Sequence, residues 1–453
     1  MRYVPNIIVA LYDHSPTWTR SFSSTAYGIL KNRCEMTAEF RRAYGELSES
    51  QSWTLPRLRE LQADRIRGLI DHAAANVPYY GKIFAEYGVN PSQVQCPDDL
   101  RTLPTLSKEV VRNQWKELIA KGYDTRKLRS ESTSGTTGKP LTVWMDEKTY
   151  AYAKAVQWLQ HHWAGYTHKE WIGVLAGYKV VPVSRSKPPF WATNRAGKQV
   201  HFSTYHLNPN YLNEYLNKME SAGIQFLLGY PFAIGLLARH MLSKKRTYAL
   251  RGVFVSSEST LDWQREAIQQ AFQCPIYDYF GQNEKVLFGV SCGRARNLHI
   301  AMETGIAEIR ENSSPANTEG ELLATSLVNY AMPLIRYELG DEISILKEPC
   351  PCSRQHMTIA PIKSRSGKSA VVLTPHGSLV WAPALKIPFD KVRGIVALQM
   401  IQQSIDLLLV QIVADSGYDP HQETQLRRDL HSRLGPDMNI QFQCVDDVRR
   451  TAN

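Results

Sequence analysis

No stretch of this 453-residue chain approaches the eighteen or more consecutive apolar residues of a membrane-crossing helix. The apolar run Ile7-Ile8-Val9-Ala10-Leu11 is too short even for the core of a signal peptide. Cysteine is scarce, with seven residues, an odd number in a chain this long, so no disulfide framework is expected and a reducing cytoplasm is the natural setting. There is no block of five or six like charges, no low-complexity segment and no internal repeat. The net charge is +10, but the charges are dispersed and no nucleic-acid-binding motif accompanies them. The excess therefore points to anionic small ligands or a loose membrane association, with no nucleic acid and no transmembrane segment. What remains, 43% hydrophobic and 21% charged, is ordinary globular composition in a chain too long for one core.

Against that background one segment is dense in chemistry. Thr133, Ser134, Gly135, Thr136, Thr137, Gly138 and Lys139 put hydroxyls, two glycines and a lysine into seven positions. Small side chains let backbone N–H groups approach an anion, hydroxyls add donors, and the lysine adds a point charge. The spacing departs from the common triphosphatase loop, which has four residues between its first glycine and Gly-Lys. Here two residues separate Gly135 from Gly138, and Pro140 follows Lys139. Leu141–Met145 reads as a strand, so the loop is expected to join two strands instead of opening a helix. A ligand-free Gly/Thr hairpin is the plain alternative.

This loop resembles the phosphate-binding loop of the adenylate-forming enzymes, among them acyl–coenzyme A synthetases, luciferases and peptide-synthetase adenylation domains. Phe280-Gly281-Gln282-Asn283-Glu284 is similar to the Tyr-Gly-x-Thr-Glu segment of that superfamily, and Tyr337-Glu338-Leu339-Gly340-Asp341 to its Tyr-x-x-Gly-Asp segment. Four further pieces resemble the phenylacetate–coenzyme A ligase-like branch, which includes capsule-polysaccharide-biosynthesis proteins. They are Asp71–Tyr80, Leu103–Lys108, Gly229-Tyr230-Pro231 and Asn329–Tyr337.

The resemblance implies an α/β and α+β architecture: a large N-terminal region of sheets flanked by helices, a hinge, and a small mobile C-terminal α+β domain. The expected divisions are an N-terminal extension over 1–50, a nucleotide- and acid-binding domain over 51–368, and the small domain over 369–453. Local patterns agree with such a layout. Leu58, Leu61, Ile66, Leu69 and Ala73 predict one face of a helix over 55–75, and a second helix is expected over 146–163 with Asp146 as its cap. Short apolar runs at 225–228 and 252–255 predict strands in a helix-covered sheet. Strands alternate after Gly305, with Thr318-Glu319-Gly320 as a turn. Strand, helix and strand are expected at 406–413, 422–434 and 439–445.

The implied activity joins a carboxylic acid to ATP as an acyl-adenylate and passes the acyl group to coenzyme A or to another thiol, amine or hydroxyl acceptor. In that scheme the loop and Lys139 hold the ATP phosphates, and Glu284 holds Mg²⁺, a cation that takes one or two carboxylates alongside phosphate oxygens. Asp341 accepts the ribose hydroxyls, Ser257 and Glu258 lie beside adenine, and Tyr279 or Phe280 stacks on the base. Gly281 and Asn283 belong to the same nucleotide segment, and Tyr230 and Pro231 line the acid pocket. Cys292, His299, Cys350 and Cys352 have the composition of a closed tetrahedral zinc site, as in some relatives; three buried, inert cysteines are the alternative. A homodimer is left open.

Two departures from the family pattern stand out. The hinge of the family carries Gly-Arg followed closely by Asp, whereas Ser364–Val371 has no Asp, leaving Arg365 or Lys368 to reach the ribose or phosphate. The family's small domain ends in a segment like Arg-Thr-x-x-Gly-Lys, and this sequence stops at Arg450-Thr451-Ala452-Asn453. These departures predict slow adenylation, and they leave a nucleotide-binding scaffold as the rival to an active ligase.

Overall fold

The structure, a computed structural model, describes residues 21–26, 28–29, 35–133, 141–310, 318–362, 371–385, 394–419 and 421–448. Ser134–Pro140, Arg365 and Lys368 of the hinge, and the terminal Arg450-Thr451 lie outside the described residues.

Helix α1 (Ala38–Ser50) is capped by Thr37, whose hydroxyl accepts from Phe40 N, and it packs through Phe40, Ala43 and Leu47. Helix α2 (Leu55–Asn76) buries Leu58, Ile66, Leu69, Ile70 and Ala73. Each such leucine or isoleucine burial is worth roughly 1.5–3 kcal/mol. Leu61, expected on this face, is only half-buried; Gln62 takes the inward position because its amide donates to the carbonyls of Met302 (3.1 Å) and Gly305 (3.0 Å). Helix α3 (Pro78–Glu86) follows at once, with proline in its first turn.

Strands β1 (Arg129–Thr133) and β2 (Leu141–Met145) form an antiparallel hairpin in which Thr133 pairs with Leu141. Helix α4 (Glu147–Trp163) follows, with the Asp146 carboxylate accepting from Thr149 N at 2.8 Å. The main sheet begins with β3 (Ile172–Leu175), β4 (Trp191–Asn194), β5 (Gln199–Phe202), β6 (Phe226–Gly229), β7 (Gly252–Ser256) and β8 (Ile276–Gly281). It continues with β9 (Phe288–Val290), β10 (Leu298–Ile300), β11 (Gly305–Ile309), β12 (Glu319–Ser326), β13 (Tyr337–Leu346) and β14 (Thr358–Ile359). Its spatial order is β11-β12-β13-β14-β10-β9-β8-β7-β6-β3-β5-β4. Strands β5, β3, β6, β7 and β8 run parallel, while the β11 side is antiparallel. The parallel half is crossed by α5 (Leu212–Ser221), α6 (Pro231–Ser243) and α7 (Asp262–Phe272), as parallel strands require.

Residues 318–320 are not a turn. Glu319 and Gly320 already pair with Ser344 and Ile343, because β12 is extended by its partner β13. The Tyr337–Asp341 segment lies within β13. Strand β13 runs on to Leu346 through a register shift opposite Glu321–Leu323, and Gly340 takes φ +71° there.

The C-terminal part holds a hairpin, β15 (Val371–Leu373) with β16 (Leu379–Trp381), and a sheet of β17 (Ile395–Ser404), β18 (Leu407–Ala414) and β19 (Asn439–Cys444). Helix α8 (Gln422–Leu434) buries Leu426, Leu430 and Leu434 against the sheet residues Leu408, Val410, Ile412 and Ile440. Mixed α/β and α+β architecture with a small C-terminal unit is thus what forms. Among the described residues, no helix is long and apolar enough to cross a membrane.

Candidate functional site

Three of the singled-out segments leave the carboxyl ends of adjacent parallel strands, where open α/β sheets place ligands. Gly229-Tyr230-Pro231 follows β6, Ser257-Glu258 follows β7, and Gln282–Glu284 follows β8. Gly229 is needed for space: a Cβ there would strike the Leu175 carbonyl, which accepts from Tyr230 N at 3.0 Å. Pro231 opens α6, and the half-buried Glu258 carboxylate accepts from Phe232 N (3.0 Å) at that helix start. Burial pushes Glu258 up to about 7, with the Phe232 N–H pulling the other way. Ser257, exposed, holds φ +74°, an uncommon conformation for a residue with a side chain.

The segments singled out as nucleotide candidates are tied to one another by specific hydrogen bonds. Asn283 Nδ2 donates to Ser132 O at 2.9 Å, fastening the end of β8 to β1, the strand that leads into the candidate phosphate-binding segment. The Tyr337 hydroxyl donates to Glu284 Oε1 at 3.1 Å. Glu284 is buried, and burial followed by the Glu284 charge raises the Tyr337 hydroxyl well above its ordinary value, so it stays a donor. The exit strand of the loop is held as well: Asn329 Nδ2 donates to Trp144 O at 3.0 Å.

The other quoted segments brace these. His72 Nε2 meets Tyr330 O at 2.9 Å, and the Tyr80 hydroxyl donates to Pro333 O (3.0 Å) while accepting from Ile335 N (3.0 Å). Leu106 N donates to Arg336 O and Glu338 N donates to Leu106 O, both at 3.0 Å. Lys108 Nζ donates to Leu339 O (2.6 Å), inside the irregular stretch that carries Asp341. Lys108 and the buried network Arg265–Asp278 (2.6 Å) with Gln160 on the Asp278 carbonyl (2.7 Å) were not singled out from sequence. Only the position of Lys108 in the Leu103–Lys108 segment could have marked it.

The two aromatic candidates part company. Phe280 packs partly against the core containing α2 and β13, whereas Tyr279 packs toward Phe288 (ring centroids 6.3 Å apart) and the cluster of α1 and α4. Gly281 is exposed next to them, and Asp341 is half-buried within β13. At the Tyr230 corner the C-terminal unit docks. The Tyr205 hydroxyl bonds both Gly177 O (3.0 Å) and Ala384 O (3.1 Å), and Trp381 stacks on Phe232 at 5.3 Å. Sequence patterns carry no signal for this contact.

A second cluster assembles at the antiparallel side. The ligand atoms of Cys292, His299, Cys350 and Cys352 all lie within 4.8 Å of one another. Cys292 Sγ is 3.5 Å from Cys350 Sγ, and Cys352 Sγ is 3.3 Å from His299 Nε2. Burial, then the neighbouring His356 and Arg354, lowers His299 to about 4, so its imidazole is neutral and able to ligate. Four soft donors converging in a mostly buried pocket fit a tetrahedral Zn²⁺.

The family described as CapK C-terminal domain matches residues 372–453. Protein CapK of Staphylococcus aureus is 24% identical over 97% of this chain and 96% of its own length. Phenylacetate-coenzyme A ligase of Thermus thermophilus is 25% identical over 74% of this chain and 77% of its own. The solved structure of 2-hydroxyisobutyryl-CoA ligase in complex with 2-HIB-AMP and CoA, in the thioesterification state, superposes with TM-score 0.56 at 15% identity. It covers 89% of this chain and 91% of that one, and so shares the fold.

Proposed function

From a chain that belongs to the phenylacetate–coenzyme A ligase-like, CapK-containing branch of the adenylate-forming superfamily, we propose an ATP-dependent ligase for a carboxylic acid. One acid oxygen attacks the ATP α-phosphorus, a P–O bond forms, and pyrophosphate leaves with the electron pair of the broken P–O bond. An acceptor thiol, that of coenzyme A or another, then attacks the acyl carbon and AMP departs; an amine or hydroxyl acceptor follows the same course. The reading rests above all on the pair of hydrogen bonds Asn283–Ser132 and Tyr337–Glu284, which join the three nucleotide segments.

In this proposal Ser134–Lys139 and Thr133 hold the phosphates, Asp341 takes the ribose, and Phe280 is the better placed of the two aromatics to meet adenine, since Tyr279 turns to the α1–α4 core. Glu284 fits Mg²⁺ as a buried carboxylate beside the phosphate loop; the cation neutralises phosphate charge when bound. Tyr337 orients that carboxylate, Ser257 and Glu258 lie beside adenine, and Tyr230 and Pro231 shape the acid side. The Cys292–His299–Cys350–Cys352 cluster is a structural Zn²⁺ site that pins β9, β10 and the segment before β14. Residues 369–453 act as the mobile small domain, and the resemblance to capsule-biosynthesis proteins supports a part for the acyl transfer in decorating a surface polysaccharide.

Carboxylate-dependent ATP–pyrophosphate exchange across a panel of acids tests the reading. Exchange with one acid class supports it. ATP binding without exchange for any acid would favour the scaffold, a role to which the Asp-less hinge stretch Ser364–Val371 also points.

A further inference from the structure

Beneath the zinc cluster lies a buried polar group that the proposed ligase chemistry does not use. Glu303 and His356 are 1% and 7% exposed, and His356 Nε2 meets Glu303 Oε1 at 3.0 Å. The Ser50 hydroxyl at the end of α1 donates to the same carboxylate oxygen. Burial alone would raise the Glu303 carboxyl; the bonds from His356 and Ser50 outweigh it and hold the group below its ordinary value. A partner is missing on the other side of each ring. His356 Nδ1 and His299 Nδ1 are both buried without a hydrogen-bond partner, and both residues line one cavity, with Glu303, that has room for about one water molecule.

The tautomers required at the two rings are complementary. A His299 that ligates through Nε2, the nitrogen beside Cys352, carries its proton on Nδ1 and must donate it. A His356 that donates Nε2–H to Glu303 presents Nδ1 as an acceptor. We propose that His356, held by Glu303 and Ser50, is a positioning residue for the metal centre, and that one buried water accepts from His299 Nδ1–H and donates to His356 Nδ1. The relay fixes the His299 tautomer and ring plane and links the end of α1 to the cluster. This rests on the zinc reading above.

The full-length chain is assayed for Zn²⁺ content and for Zn²⁺ affinity by competition with a chromophoric chelator. His356→Ala is expected to weaken Zn²⁺ binding about 10- to 100-fold, the usual effect of losing an outer partner. Glu303→Gln, which keeps an oxygen to accept from His356, is expected to stay within about threefold of the parent on the same scale. A parent chain without zinc overturns the metal reading itself. A zinc-loaded parent whose affinity His356→Ala leaves unchanged overturns the relay alone. If His356→Ala does not fold, a crystal structure of the zinc-loaded parent decides: a water within about 3.2 Å of both Nδ1 atoms supports the relay, and its absence overturns it.

Discussion

The Tyr337 hydroxyl reaches Glu284 Oε1 at 3.1 Å across 53 residues of chain, and it joins the Phe280–Glu284 and Tyr337–Asp341 segments directly. Both groups are buried, so the bond is shielded from bulk water. The carboxylate is therefore aimed by the fold before any ligand arrives.

Tyr337→Phe should fold but lose about 1–3 kcal/mol of stability, since it leaves a buried acceptor short of a partner. It should also raise the Mg²⁺ concentration that half-saturates pyrophosphate exchange. Glu284→Gln should fold and lose Mg²⁺-dependent turnover. Urea unfolding and Mg²⁺ titrations check both, and unaltered metal dependence in Glu284→Gln would remove Glu284 from the site.

Lys139→Ala should weaken ATP binding about tenfold or more, because a charge-assisted phosphate contact contributes roughly 1.5–3 kcal/mol. Asn283→Ala should do so more mildly, by freeing the strand that enters the loop. Calorimetry with ATP measures both; equal affinity in a folded Lys139→Ala protein would count against the loop.

Protein purified without added metal should carry one zinc per chain by elemental analysis. Stripping it should lower the unfolding midpoint before it affects chemistry, since the cluster stands on β10 and the connections flanking β9 and β14. Far less than one equivalent, with freely titrating thiols, would support buried inert cysteines.

Acid should destabilise the protein through its buried histidines. Burial, reinforced by His168 and Lys154, lowers His161 to about 3, and neither of its ring nitrogens has a partner. The unfolded chain takes up this proton near pH 6.5 while the native chain refuses it. Stability is thus full above about 6.5 and falls toward pH 3, at up to about 1.4 kcal/mol per pH unit for such a group. His161→Phe should flatten that slope in unfolding measured from pH 7 to pH 4; an unchanged slope would exonerate His161.

Glu258 has the opposite sign. With its carboxyl raised to about 7 by burial, the native state holds a proton that the unfolded state gives up near 4.5. Its contribution is present below about 4.5 and is lost as pH rises through 7. Glu258→Gln keeps an oxygen for Phe232 N and should gain stability relative to the parent at pH 8 more than at pH 5. Equal gains at the two pH values would refute the shift.

Local chemistry determined much of this protein from sequence alone. Asp146 caps its helix, the apolar face of α2 is buried, and Leu141–Met145 and Gln422–Leu434 form the expected strand and helix, because periodicity and capping are decided by neighbours three or four residues away. The candidate nucleotide segments and the four zinc candidates could also be picked out, as residue types in a characteristic order. Tertiary structure alone decided the rest. Gln62 displaced Leu61 because two distant carbonyls needed a donor. Asp341 came to lie within a strand because β12 lends its edge to β13. Tyr279 turned away from Phe280 because alternate side chains of one strand face opposite layers. Lys108 and Ser50 found partners more than two hundred residues off, and His356 met Glu303 in a buried corner that exists only once the chain is folded. Sequence spacing encodes the first kind of contact; the second depends on which surfaces meet when the sheet closes over its helices, and no local pattern records it.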